Sequence, residues 1–418
     1  MPVIRDAIVL GAGPAGLGAA LAMARSGARV SLLEAAPAVG GLCATRRRDG
    51  VAYDIGGHIP FVRDDARLRW LREMVGDDLH WVPRPVVSVR RGRVRPGRYL
   101  DQPPTGAPRA GAVDDGSART ELERVAGRAT VEAEMRAYLE KIDGVPLEDI
   151  PADRVRKLRD GQAAPEGFWF PARGIGQLMD AMADAATAAG AEILTGTAVS
   201  ALDTAGGRVR GVRADGPGGA LELRAPAAVV AMPAGLAARL LAPAPPPGAL
   251  PAVRMRAVAI AYLEVVPAQP LPHAWIQVDD PSVPFARCAL PGNWSAALVP
   301  GDRTVFGCEC YCAADPGDPV WGLDDDALAA SCHDALLRLG WAEPGAAWRP
   351  VEVLRLPRAY PLPHRDQMAA VSAPAQVLAD IAGLHQAPGA AVIEAIEGGE
   401  RAALAALAGA PAGTAVAG

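Results

Sequence analysis

Three glycines near the N-terminus have the spacing of a phosphate-binding turn. The run Gly11-Ala12-Gly13-Pro14-Ala15-Gly16 follows a short apolar segment and precedes an alanine- and leucine-rich stretch. In such a strand-turn-helix unit, the glycines permit a tight turn, close backbone approach to a pyrophosphate, and close helix packing. Glu34 ends a second apolar segment 18 residues after Gly16, where a carboxylate accepts hydrogen bonds from a ribose. The pattern predicts a dinucleotide site that includes Gly11, Gly13, Pro14, Ala15, Gly16 and Glu34.

A second group of glycines follows the acid. The chain reads Gly40-Gly41-Leu42 and then Asp54-Ile55-Gly56-Gly57-His58. This order resembles the two-dinucleotide-binding flavoprotein superfamily, which holds monoamine oxidases, protoporphyrinogen oxidase, phytoene desaturases and UDP-galactopyranose mutase. The Gly-Gly-His form is closest to the protoporphyrinogen oxidase-like and mutase branches. The resemblance implies FAD as the cofactor, contacted by Gly40, Gly41, Leu42, Gly56, Gly57 and His58.

Two later segments extend the resemblance. The run Gly389-Ala390-Ala391-Val392 is similar to the start of the superfamily's final helix, which implies flavin contacts by Gly389, Ala390 and Val392. The resemblance also implies that the backbone of Val199 contacts the adenine. The segment before Gly389 lacks the acidic residue that relatives usually have there, which puts the ribitol contact in question.

Four residues are candidates for substrate binding by the same resemblance, namely Arg173, Arg287, Tyr360 and Arg365. Together with His58, the side chains of Arg287 and Tyr360 are also the catalytic candidates. The alternative for each arginine and for Tyr360 is an ordinary surface or inter-strand role, and for His58 a hydrogen bond to backbone. Residues 252–360 contain no lysine, whereas amine oxidases commonly place a lysine near the flavin, so simple amine oxidation is disfavoured.

The pattern of elements predicts an α/β protein. We expect a Rossmann-like FAD-binding domain built from the discontinuous segments 1–75, 166–240 and 362–418. Residues 76–165 and 241–361 would form an α+β substrate domain, a mixed sheet with a helical cap. Predicted elements include helices over 66–75, 120–142 and 324–339, a β-meander over 201–223, and strands over 257–266, 275–278, 295–299 and 304–312.

Composition excludes several classes of function. The 418 residues carry a formal net charge of -5, which gives no general attraction for nucleic acid. No apolar stretch is long enough to span a bilayer. The chain enters a strand pattern directly after Met1, so we expect no leader and a reducing cytoplasm, in which the six cysteines stay free. Cys308, Cys310 and Cys312 lack the spacing of a zinc site, and no metal is expected.

Three functions follow as hypotheses. The first is an FAD-dependent oxidoreductase, an oxidase or dehydrogenase that takes a hydride from a C-N, C-C or C-O bond of a small molecule and passes electrons to oxygen or another acceptor. The second is a non-redox flavoenzyme that resembles UDP-galactopyranose mutase and acts on a sugar nucleotide. The third is a binding protein without catalysis. The Ala/Arg/Gly/Pro-rich composition is typical of GC-rich bacteria and suggests secondary metabolism. The sequence leaves the oligomeric state open, with a homodimer as one option.

Overall fold

The computed structural model describes residues 2–83, 86–90, 93–101, 114–160, 166–268, 271–387 and 391–409. The strands are β1 (Val3–Ile4), β2 (Ala7–Leu10), β3 (Val30–Leu33), β4 (Thr45–Arg48), β5 (Val51–Asp54), β6 (Leu79–Pro83), β7 (Val86–Arg90), β8 (Arg93–Pro96), β9 (Gly167–Pro171), β10 (Glu192–Leu194), β11 (Ala198–Ala205), β12 (Arg208–Gly216), β13 (Gly219–Arg224), β14 (Ala228–Val230), β15 (Leu241–Ala242), β16 (Met255–Ala268), β17 (Trp275–Val278), β18 (Arg287–Ala289), β19 (Thr304–Cys312), β20 (Ala342–Pro361) and β21 (Leu384–Gln386).

The helices follow in the same chain order. They are α1 (Pro14–Arg25), α2 (Asp65–Val75), α3 (Ala118–Ala126), α4 (Arg128–Thr130), α5 (Arg136–Asp143), α6 (Ala152–Asp160), α7 (Gly176–Ala188), α8 (Ala234–Arg239), α9 (Pro291–Trp294), α10 (Asp325–Arg338), α11 (Met368–Ala379) and α12 (Val392–Gly409). A π-helical turn at Val131–Met135 precedes α5, and 3-10 turns lie at Gly41–Cys43, Gly76–Asp78, Tyr99–Asp101 and Arg365–Gln367.

A parallel sheet with the order β10-β3-β2-β14-β21 forms the base of the molecule. Its strands are short and almost wholly apolar, as expected for strands buried on both faces. Helix α1 runs from the end of β2 and packs between α7 and α12. The chain therefore has the α/β, Rossmann-like architecture that the glycine pattern predicts.

A larger, mostly antiparallel sheet has the order β20-β16-β19-β18-β17-β7-β8. Alternation along β19 separates its two faces: Cys308, Cys310 and Cys312 are buried in a core that also holds Cys332, while Glu309 lies on the opposite face. Helices α3, α5 and α6 form a separate apolar cluster beside this sheet. A third sheet contains the meander β11-β12-β13, which confirms the predicted one.

The predicted domain division stays a proposal. The strands of the parallel sheet all come from within 1–75, 166–240 and 362–418, and those of the seven-stranded sheet from within 76–165 and 241–361. We therefore propose to keep these ranges as the cofactor domain and the substrate domain.

Two predicted elements are wrong in detail. Residues 295–299 form turns after α9 and not a strand, because the Trp294 indole is buried and donates to the Ala274 carbonyl 2.7 Å away, which holds the chain in a bend. The helix predicted over 120–142 is broken at Gly127, whose φ of 78° ends α3. The predicted strand over 304–312 and the helix that starts at the Asp324 cap are confirmed.

The part of the chain that the structure describes contains no helix long and apolar enough to cross a membrane. Among the same residues, no group of three or more His, Cys, Asp and Glu side chains is arranged to hold a metal ion. All six cysteines are buried as free thiols.

The contact between α1 and α12 generates a prediction about stability. A Cβ atom at Gly399 would lie 1.9 Å from the Ala15 carbonyl oxygen, so Gly399→Ala must push the helices apart. We expect it to lower the free energy of unfolding by about 1–3 kcal/mol, as overpacking does. The control is Gly235→Ala in α8, where the nearest atom lies 3.9 Å away. Urea unfolding that gives the same stability for both variants would contradict the packing argument.

Candidate functional site

Of the three glycines in the turn between β2 and α1, only Gly13 leaves room for a ligand. Gly11 has a φ of 99°, and a Cβ at Gly16 would lie 1.8 Å from the Gly11 carbonyl oxygen, so neither position accepts a side chain. A Cβ at Gly13 would meet no atom within 4 Å. The backbone at Gly13 is thus open to a neighbouring group, and Pro14 and Ala15 begin α1 directly after it.

Glu34 is held in place by two backbone donors. The amides of Ala12 and Ala36 donate to Oε2 and Oε1, each at 2.8 Å. Each carboxylate oxygen keeps accepting capacity for a further donor, as a ribose contact needs. Val199 lies on β11 close to this acid, because the amide of Thr197, two residues earlier, donates to the Glu34 carbonyl at 2.8 Å.

The double glycine lies against the same turn. The amide of Gly40 donates to the Ala12 carbonyl at 2.8 Å, and a Cβ at Gly41 would lie 3.5 Å from the Cα of Gly13. Leu42 is half exposed beside them. Burial raises the pKa of Cys43 to about 12, so this residue is a thiol at neutral pH and not a nucleophile.

The loop that carries Gly56, Gly57 and His58 is anchored from the large sheet. The hydroxyl of Tyr262 on β16 donates to the Asp54 carbonyl at 2.6 Å and accepts from the Gly56 amide at 3.1 Å. The buried Asp54 carboxylate accepts from the Thr45 hydroxyl at 2.6 Å and from the Ile175 amide at 3.0 Å. Burial raises the pKa of Asp54 to about 7 despite these donors.

His58 lies beside a cavity of about 160 Å³ that Gly57, Arg287, Glu309 and Val392 also line. Its Nδ1 is buried and has no hydrogen-bond partner among the described residues. Burial lowers the pKa of His58, with Glu309 opposing and Arg287 reinforcing that shift, so the ring is neutral at pH 7. An unpartnered ring nitrogen beside a cavity suits contact with a bound group.

Helix α12 begins at Val392, at the wall of the same cavity. The other two contacts expected from this segment, Gly389 and Ala390, lie outside the described residues. The segment before them, which lacks the acidic residue usual in relatives, contains β21. This strand pairs with β14 and completes the parallel sheet.

Arg287 lines two cavities at once. On one side it borders the 160 Å³ cavity with His58, and on the other a cavity of about 410 Å³. Its Nε donates to Glu309 Oε2 at 2.9 Å, and the Tyr311 hydroxyl donates to the same oxygen at 3.1 Å. Sequence reasoning missed Glu309, although a lone acid in an otherwise apolar strand was a signal for a buried ion pair.

The larger cavity is rich in cations and tyrosines. Its charged lining includes two acids, Asp143 and Asp153, and five bases, Arg98, Arg154, Lys157, Arg256 and Arg287. Arg154 pairs with Asp143 at 2.8 Å, whereas Arg256 donates only to backbone carbonyls and has no carboxylate within 4 Å among the described residues. Tyr138 is buried in the wall, Tyr311 is half-buried, and Tyr360 is 48% exposed and stacked on Tyr311.

Arg173 and Arg365, two of the residues predicted to contact substrate, lie away from both cavities. Arg173 is mostly exposed and pairs with Asp78 at 3.4 Å, outside the residues that line either cavity. Arg365 donates to the Glu148 carbonyl at 3.2 Å and does not line them either. Residues 252–360 contribute no lysine to either cavity, and Lys157 of the cap segment lines the larger one and not the one beside His58. That simple amine oxidation is disfavoured stays a prediction.

The comparisons identify the class of protein. The profile of the family described as FAD dependent oxidoreductase matches residues 6–307, so the chain belongs to this family. It is an FAD-dependent oxidoreductase, and its cofactor is FAD. No curated protein sequence matches the chain.

Solved structures share the fold over nearly the whole chain. Reduced UDP-galactopyranose mutase superposes with a TM-score of 0.77 at 16% identity, covering 98% of this chain and 96% of that one. A protein assigned as a protoporphyrinogen oxidase from Exiguobacterium sp. 255-15 gives 0.67 at 19% identity, covering 98% and 99%. Putrescine oxidase bound to putrescine gives 0.64 at 17% identity, covering 98% and 100%. At these identities the likeness concerns the fold alone.

Asp54 generates a prediction about pH. Because its pKa is about 7 in the folded state and about 3.9 unfolded, the folded protein retains a proton between pH 4 and 7 that the unfolded chain has lost. This group therefore lowers stability as pH rises through that range. In Asp54→Asn that contribution is absent, so the free energy of unfolding of the variant relative to the wild type should rise by at least about 1 kcal/mol from pH 4.5 to 7.5. Urea unfolding at both pH values measures it, and a pH-independent difference would refute the assignment.

Proposed function

We propose that the protein oxidises a small anionic molecule, taking a hydride from a carbon of a C-N, C-C or C-O bond. The observation that carries the proposal is the position of Arg287 as the common wall of two cavities. One cavity is lined by the Gly57-His58 loop and the start of α12, and the other is lined by cations and tyrosines. A molecule bound in the second cavity would meet Arg287 where the two spaces adjoin.

The residues present fit FAD. Gly13 would face its pyrophosphate in the turn that Gly11 and Gly16 permit, Glu34 its ribose, and His58 with Val392 its ring system. FAD, when bound, supplies the hydride acceptor, and oxygen or another acceptor would reoxidise it. Secondary metabolism and a cytoplasmic location stay predictions.

The chain's own residues would bind and orient the substrate. Arg256 is fixed by three carbonyls, at 3.0 to 3.2 Å, and among the described residues no carboxylate pairs with it directly, while Asp318 and Asp143 act on its charge from farther away. A carboxylate or phosphate of the substrate would supply a direct partner. Tyr138, Tyr311 and Tyr360 would cover an apolar or aromatic part and exclude water. Where the two cavities adjoin at Arg287, the neutral ring of His58 would accept the proton that oxidation releases from the substrate's nitrogen, oxygen or second carbon.

A second function is favoured by the same cations. Arginines in the larger cavity also suit a diphosphate, as a sugar nucleotide would present. The hypothesis is then a non-redox flavoenzyme that acts on such a substrate. Incubation of the reduced protein with UDP-galactopyranose tests it, since an isomerised sugar with no net oxidation would favour this function.

The oxidation hypothesis predicts a charge requirement. The FAD-loaded protein is mixed without oxygen with 2-amino and 2-hydroxy carboxylic acids, each beside the amide of its carboxyl group, and the flavin absorbance is followed. We expect an acid to bleach the flavin at least ten times faster than its amide. The double variant Arg287→Met/Glu309→Gln removes the guanidinium that the substrate's anionic group would meet, without stranding a buried carboxylate, and should slow bleaching about 10- to 100-fold.

Arg208→Ala is the control, because this arginine is exposed on the meander, away from both cavities. It should bleach at the wild-type rate. Equal rates for acids and amides, or for the double variant and the wild type, would contradict the proposed anionic substrate.

A further inference from the structure

Lys141 is a buried base that the proposed chemistry does not use. It lies on α5, and its Nζ donates to the carbonyl oxygens of Val278 at 3.3 Å, Asp280 at 2.8 Å, Val283 at 2.9 Å and Phe285 at 2.8 Å. All four carbonyls belong to the hairpin between β17 and β18. Burial lowers the pKa of Lys141 to about 8, so the group is an ammonium at pH 7.

The residue type suits this ring of acceptors. Of the 42 basic residues, 40 are arginine, and Lys141 is one of only two lysines. An ammonium is a compact point charge with three donors, whereas a guanidinium is a planar fork that cannot converge on four carbonyls around one centre. Within the described residues no carboxylate lies within 4 Å of Nζ, so the backbone carbonyls are its direct partners, while the Asp279 and Asp280 carboxylates act on its charge from farther away.

The hairpin leads directly to Arg287. The Val278 amide donates to the Ala286 carbonyl at 2.8 Å, and the Ala286 amide donates to the Glu309 carbonyl at 3.0 Å. Lys141 thus binds both ends of the hairpin, at Val278 and Phe285, next to the strand residue that divides the two cavities.

The other side of α5 faces the larger cavity. This helix contributes Tyr138, Leu139, Ile142 and Asp143 to the cavity lining. The carbonyls of Lys141 and Ile142 also accept from Arg256, at 3.0 and 3.2 Å. One side chain therefore connects the cap wall to the wall that carries Arg287.

We propose that Lys141 is a positioning residue: its ammonium holds the 278–286 hairpin against α5 and so sets the position of Arg287 at the cavity. Lys141 does not itself contact the space where substrate would bind. The effect of Lys141 on ligand binding rests on the proposed function, in which the cationic cavity binds an anion. Its hold on the hairpin does not.

Two variants separate the charge from the packing. Lys141→Ala removes the part of the side chain that matches propylammonium. Lys141→Met fills most of that space and removes the charge with its N–H donors. For the FAD-loaded wild type and both variants, hydrogen exchange is measured at the amides of 276–289, and benzoate binding is measured through its perturbation of the flavin absorbance.

We expect hydrogen exchange at 276–289 at least ten times faster in both variants, and benzoate affinity at least ten times weaker. Added propylammonium should restore both quantities in Lys141→Ala and neither in Lys141→Met. Exchange at 7–10 and 30–33 of the parallel sheet should not change.

Unchanged exchange at 276–289 in the variants would overturn the proposal, as would propylammonium protection that extends equally to the parallel sheet. Faster exchange with unchanged benzoate affinity would reduce Lys141 to a purely structural residue and overturn its role toward Arg287. If the wild type itself binds no benzoate, the proposal that the cationic cavity binds an anion fails. Hydrogen exchange then still decides whether Lys141 holds the hairpin.

Discussion

Close contact between backbones at the start of α1 is the constraint on which the rest of the site depends. Gly16 lies over the Gly11 carbonyl, and Gly399 of α12 lies over the Ala15 carbonyl, at separations that exclude any side chain. These contacts fix α1 between β2 and α12. As a result the ends of β2 and β3, the double glycine and the first residue of α12 border one region, and Glu34 is oriented by the amides of that region.

The second organising interaction is electrostatic. Glu309 is 3% exposed, and such a carboxylate is costly to bury unless it is paired. Arg287 and the Tyr311 hydroxyl satisfy it from the side of the large cavity, while the Gly56-Gly57-His58 loop lies on its other side. The pair thus borders both the region expected to hold the flavin and the region expected to hold substrate, in a protein whose overall charge is negative. Arg256 and Lys157 make the substrate side locally positive.

Local features of the sequence predicted the strand-turn-helix unit and the meander, for a physical reason. The turn at Gly11 to Gly16, the acid at Glu34 and the meander depend on backbone geometry within short segments, which residue types report directly. Glu309, Lys157, Arg256 and Lys141 depend on how separate segments come together. The Glu309–Arg287 pair joins neighbouring strands 22 residues apart, and Lys141 and Arg256 connect α5 to segments more than 100 residues away. Arg173 and Arg365 were predicted by analogy of position, and the tertiary structure directs both toward nearby surface partners.

A crystal structure of the FAD-loaded protein would show whether Arg287 borders both the flavin and the substrate cavity. We expect density for the pyrophosphate beside Gly13 and for the isoalloxazine ring in the space lined by Gly57, His58, Arg287 and Val392, with the cationic cavity left free for substrate. Ring density within the larger cavity, among Arg154, Lys157 and Arg256, would contradict it.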